Sequence, residues 1–116
     1  MKKTVKVGIM AEVDWRNRIL AAARGERPRL KDDPKIWFSS MRSLAEVLSD
    51  KNRELVRLIA KNRPETVAAL ARATGRDKGN LTRTLQRLAS YGIVELRKEK
   101  NTVRPVARFT DFLIAA

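Results

Sequence analysis

The chain has 116 residues, with 26 Lys and Arg against 13 Asp and Glu for a net charge of +13, and it contains neither Cys nor His. That length suits one modest core, and the missing thiols and imidazoles exclude disulfides, zinc fingers, thiolate nucleophiles and the commonest general base. A field this positive attracts polyanions before any specific contact forms, so a binding role toward nucleic acid is expected, with no catalytic residues, cofactor or metal.

Residues 4–9, TVKVGI, alternate polar and apolar, so that Val5, Val7 and Ile9 would line one face of a strand. A lone strand leaves sticky edges, and it must pair either with another strand of this chain or with a second subunit. From Ala11 to Arg24 the pattern turns helical, with Ala11, Trp15, Ile19 and Ala22 or Ala23 on one side, and Gly25 stops it. Residues 25–35, GERPRLKDDPK, carry two prolines, one glycine and seven charges and read as a linker. This divides the chain into an N-terminal strand-helix lobe, residues 1–35, and a second domain, residues 36–116. Asp32 and Asp33, the only adjacent carboxylates, read as solvated turn residues.

Ile36, Trp37 and Phe38 form a short bulky run that fits a strand pairing with the first, and Ser39 or Ser40 then caps a helix carrying Met41, Leu44, Ala45 and Leu48. Ser49 and Asp50 offer a cap for the next helix, whose core side holds Leu55, Val56, Leu58 and Ile59. Its opposite face, Lys51, Arg53, Arg57 and Lys61, suits either a soluble surface or a phosphate backbone. Pro64 interrupts, Thr66 caps a further helix, and Val67, Leu70 and Ala71 supply its core face.

Residues 70–88, LARATGRDKGNLTRTLQRL, place a small residue at Ala71, a glycine at Gly75 and an apolar anchor at Leu81, the spacing of a helix-turn-helix. Ala71 lets two helices cross closely, and Gly75 supplies the positive φ that closes the first of them. Leu81, Leu85 and Leu88 repeat at i, i+4 and i+7 and plug the second helix into the core. At 100° per residue the opposite face carries Arg76, Gly79, Asn80, Arg83, Gln86 and Arg87, with Lys78 at the helix start and Thr82 on the flank. Arg can grip guanine with two parallel hydrogen bonds, Asn and Gln can do the same to adenine, and Gly79 leaves room for close approach. A merely solvated face also has this composition, and the glycine-turn spacing is what favours DNA.

Gly92 ends that helix, after which residues 93–98 read as a strand, 99–102 as a polar turn and 103–109 as the returning strand of a hairpin. Pro105 lacks an amide donor, so the second strand is either an edge or bulged there. Residues 76–108 hold nine Lys or Arg against three acids, a net +6 of the total +13. A basic hairpin after a recognition helix is the wing of a winged helix-turn-helix, with Arg97, Lys98, Lys100 and Arg104 placed to reach phosphates.

The segment VAALARATGRDKGNLTRTLQRLASYGIVELRKE resembles the winged helix-turn-helix of MarR-like transcriptional regulators, and the likeness covers residues 50–109. More narrowly, TVKVGIM, a helix ending AAAR and WFSSMRSLAEVLS are similar to a family of small predicted regulators often encoded as the antitoxin-like partner in toxin–antitoxin loci. The chain departs from the simple pattern at Thr84, where the recognition helix would carry an apolar residue. The resemblance implies a homodimeric repressor binding double-stranded DNA, or an antitoxin that binds a cognate toxin protein and autoregulates its operon.

The expected fold is therefore α+β, mainly α, with a winged helix-turn-helix preceded by the strand-helix lobe. No run approaches a membrane span or a signal sequence, so the expected location is the cytoplasm, in association with the nucleoid. Trp15, Val5, Val7 and the apolar tail Phe112, Leu113 and Ile114 belong either to the core or to a subunit interface.

Overall fold

The structure, a computed structural model, describes residues 3–26 and 33–116. Much of the expected linker and Asp32 therefore lie outside the described residues. The element order is β1 (Thr4–Ile9), α1 (Glu12–Ala23), β2 (Ile36–Phe38), α2 (Met41–Val47), α3 (Asp50–Asn62), α4 (Val67–Thr74), α5 (Lys78–Ser90), β3 (Val94–Glu99), β4 (Thr102–Ala107) and β5 (Asp111–Ala115). This is an α+β chain in which helix outweighs strand.

The first strand finds its partners within the chain. β1 lies between β2 and β5 and runs parallel to both, with Val7 opposite Ile36 and Ile114, and Val5 opposite Phe112. Parallel neighbours require a crossover, which α1 and the segment after it provide between β1 and β2. The sheet thus takes β1 from before the residue 25–35 segment and β2 and β5 from after it. Val5 and Val7 are buried, and they join one apolar cluster with Phe38, Val47, Ile59, Leu81 and Ile93. The apolar tail divides: Phe112 is half-buried against that cluster, whereas Leu113 and Ile114 stand exposed on an edge strand.

α1 is held differently, because none of its residues is buried. Trp15 meets Trp37 with ring centroids 5.8 Å apart, and the Arg18 guanidinium lies 5.6 Å from the Trp37 ring. Arg18 also donates to Asp33 at 2.7 Å in a largely covered ion pair. Asp33 is therefore an anchor for α1 rather than a solvated turn residue. A contact spanning 15 residues, with a charge taken out of water only because its partner comes too, has no local sequence signature.

Trp37 owes its place to Gly8, its register partner across β1 and β2. A Cβ on Gly8 would sit 2.7 Å from Trp37 Cζ3 and 2.9 Å from Pro34 Cγ, so the indole covers the bare backbone. Gly8→Ala should displace the ring and cost about 1–3 kcal/mol. Thermal unfolding followed by tryptophan fluorescence checks this, with a lower midpoint and an altered native spectrum expected.

The helices start where their caps dictate. Ser40, Ser49 and Thr66 each accept a hydrogen bond from the backbone N–H three residues on, at Ser43, Asn52 and Ala69. Phe38 stacks on Tyr91 at 4.6 Å, and the Tyr91 and Ser43 hydroxyls lie 3.3 Å apart. These contacts fasten the end of α5 to both β2 and α2.

Candidate nucleic-acid interface

Two short helices and a hairpin build the site. α4 ends at Gly75, whose φ of +68° is the left-handed conformation its position requires. Asp77 then begins α5 by accepting a hydrogen bond from the Asn80 backbone N–H at 3.0 Å. Sequence inspection overlooked this cap, although an Asp three residues before Asn80 and just ahead of an apolar stripe is the usual signal. Leu81 and Leu85 are both 0% exposed, and Leu88 joins them beneath the helix. Ala71 is half-buried against the same cluster.

With that stripe inward, α5 turns a strip containing no acidic residue to the solvent. Lys78, Gly79, Asn80, Arg83, Gln86 and Arg87 are exposed, while Arg76 and Thr82 are half-buried. The Thr82 hydroxyl donates to the Lys78 carbonyl at 2.8 Å, which commits its proton and leaves its oxygen able to accept. The Arg83 guanidinium donates to the Asn80 carboxamide oxygen, so these two side chains present themselves as a pair. Arg87 reaches Glu46 of α2 at 3.2 Å, an exposed ion pair of the kind that exchanges partners cheaply. Beyond Gly79 a Cβ would meet only the Asp77 carboxylate, at 3.1 Å.

The hairpin β3–β4 lies beside α5 and turns at Lys100 and Asn101, with Lys100 at φ 43°. Among the described residues β4 pairs only with β3, and Pro105 stands opposite Leu96 in unbroken register, so Pro105 marks an edge and not a bulge. Register also decides which cations share a surface. Val94, Leu96 and Lys98 alternate with Glu95, Arg97 and Glu99, and the first two are covered by the helices. Lys98 and Lys100 therefore stand at the tip, whereas Arg97 and Arg104, opposite one another, belong to the other face. There Arg97 approaches Glu95 at 3.2 Å and Arg104 approaches Glu99 at 3.0 Å.

Between α4, α5 and the hairpin tip runs a groove of about 440 Å³, bordered by Arg72, Lys78, Thr82, Gln86, Asn101 and Thr102. Of the expected contacts, Lys78, Thr82 and Gln86 line this groove, Gly79, Asn80, Arg83 and Arg87 are exposed elsewhere on α5, Arg76 is half-buried just before it, Lys98 and Lys100 are exposed at the hairpin tip, and Arg97 and Arg104 lie on the hairpin's other face. Arg72 and Asn101 were not anticipated. Arg72 is one residue past the packing position Ala71 on the helix that braces α5, a place visible only once the two helices are crossed.

A model of the HVO_A0114 family matches residues 47–114, more than half of the chain. The chain belongs to the HVO_A0114 family. The matched span runs from the end of α2 through most of β5 and contains α5, the hairpin and the groove between them. β1, α1 and β2 fall outside the HVO_A0114 match. No curated protein matches the chain. No helix among the described residues is long and apolar enough to cross a membrane.

Proposed function

We propose that the protein is a sequence-specific double-stranded DNA-binding regulator of the MarR-like winged helix-turn-helix type, acting as a cytoplasmic, nucleoid-associated repressor that occupies a promoter. The observation that carries this reading is the acid-free outer strip of α5 beside the basic hairpin tip. A B-DNA major groove is about 12 Å wide and admits a helix of this kind. In this arrangement α5 enters the groove, Asn80, Arg83 and Gln86 meet base edges, and Arg76, Lys78, Arg87, Lys98 and Lys100 neutralise phosphates. The work is binding, with no catalytic step.

One such module reads few base pairs, and pairing two modules on a palindrome extends the site. The outward stripe of α1, with Val13 and Leu20 one face apart from the Trp15 contact, and the exposed Leu113 and Ile114 of β5 provide apolar surface for a second copy. The same surface favours a second reading, an antitoxin whose cognate toxin covers it while DNA binding autoregulates the operon. Co-purification with the product of the adjacent gene supports the second reading, and a stable dimer that ignores that product supports the first.

Two substitutions test the base-reading assignment. Arg83→Ala should relax preference at one base position by about 1–3 kcal/mol, whereas Lys100→Ala should weaken all duplexes alike and lower the salt slope by about 1. Fluorescence anisotropy on matched and single-mismatch duplexes separates the two effects. Equal losses on every duplex for both variants would remove Arg83 from the base-reading role.

A further inference from the structure

On the far side of the hairpin from α5, the end of α3, the edge of β4 and the turn at Thr110 enclose a second cleft of about 410 Å³. Among the described residues its charged lining consists of Lys3, Arg63, Arg97 and Arg104, with no acidic and no aromatic side chain. Three parts of the chain distant in sequence, the start, the end of α3 and the hairpin, bring those cations together, which separates this cleft from a basic stripe along one helix. Arg63 ends α3 in the left-handed conformation, φ 47° and ψ 59°. That conformation is strained for a residue with a Cβ and is ordinarily taken by glycine. Here it carries a guanidinium to the cleft wall. Arg97 and Arg104 face each other across the strands as directly opposed like charges, an arrangement that disfavours the hairpin unless anions lie between or beside them. Glu95 pairs with Arg97 and Glu99 with Arg104, and neither carboxylate lines the cleft.

We propose that this cleft is a binding site for an oligophosphate group. Guanidinium forks match phosphate oxygens in pairs, and three of the four cations are arginines. The absence of an aromatic wall means that the ligand is held by its phosphates and not by a stacked base. The carboxyl end of α3 contributes roughly half a negative charge nearby and Glu95 and Glu99 one each, and the four cations still outweigh the sum. Duplex DNA bound along α5 does not occupy this side of the hairpin. The phosphates come either from a free oligophosphate or from a nucleic-acid backbone that wraps past the hairpin, and binding measurements distinguish the two.

Isothermal titration of the full chain with inorganic tripolyphosphate at physiological salt is the test. Saturable binding of one equivalent is expected, weakened about tenfold by Arg63→Gly and by Arg104→Gln, and unchanged by Arg42→Ala, an exposed α2 residue outside the cleft. Arg63→Gly suits the left-handed backbone, so its unfolding midpoint should hold or rise and the loss cannot come from unfolding. If tripolyphosphate fails to saturate but Arg63→Gly weakens duplex DNA, the phosphates are those of the nucleic-acid backbone. Tripolyphosphate and DNA binding both unchanged by Arg63→Gly and Arg104→Gln would overturn the site.

Discussion

Leu81→Ala should lower the free energy of unfolding by about 3 kcal/mol, within the range for removing a fully buried leucine and leaving a cavity. Leu81 has no exposed surface, and its neighbours along the stripe, Leu85 and Leu88, are equally enclosed. The surroundings include helix ends fixed by Thr66, Gly75 and Asp77, which restricts their collapse into the void. A loss of that size is a large share of the roughly 5–15 kcal/mol available to a domain. It should lower the unfolding midpoint by roughly 10–15 °C. Thr84→Ala, one turn away at a half-buried position, should change stability by less than about 1 kcal/mol. Denaturant unfolding of both variants measures the difference. A Leu81→Ala cost as small as that of Thr84→Ala would mean that α5 is not anchored through Leu81, and its outward strip would lose its defined orientation.

The second large effect concerns salt. In the proposed arrangement Arg76, Lys78, Arg87, Lys98 and Lys100 put about five cations on phosphates, and counterion release from B-DNA then gives a log-log salt slope near −4.5. Between roughly 50 and 200 mM salt, affinity should fall about five hundredfold. One of the five meets competition from the protein itself, since Arg87 must leave Glu46 to reach phosphate, and the base-reading Arg83 must likewise leave Asn80. Those exposed contacts are weak beside a charge-assisted phosphate bond, so the exchange does not abolish the slope. A slope near zero would mean that the exposed strip does not meet phosphates at all.

How much of this was legible in the sequence depended on whether the controlling contact was local. Gly75 before a leucine stripe is a local signal, and both the left-handed turn and the buried face of α5 follow from it. The hairpin is equally local, and Pro105 narrowed its second strand to an edge or a bulge, which the register then decided. The face of each wing cation was also available, because counting by twos from Val94 and Leu96 puts Arg97 on the opposite side from Lys98; grouping the four by charge alone concealed it. Other features had no local trace. The pairing of β1 with β5 joins the two ends of the chain, and only their apolar character hinted that something must cover them. α1 shows the same limit: its spacing suggests a buried side containing both Trp15 and Ile19, yet Trp15 packs on Trp37 while Ile19 stays 47% exposed. An amphipathic period identifies a helix but not the surface it meets.

The central claim is that α5 reads sequence in duplex DNA. Selection of bound duplexes from a random pool by the full chain, with duplex RNA as competitor, tests it most directly. A base-reading α5 yields an enriched DNA motif, repeated as a palindrome if two copies bind, that duplex RNA does not displace and that loses information at one position in Arg83→Ala. A pool that remains random, or a motif identical in Arg83→Ala and displaced equally by RNA, would contradict it.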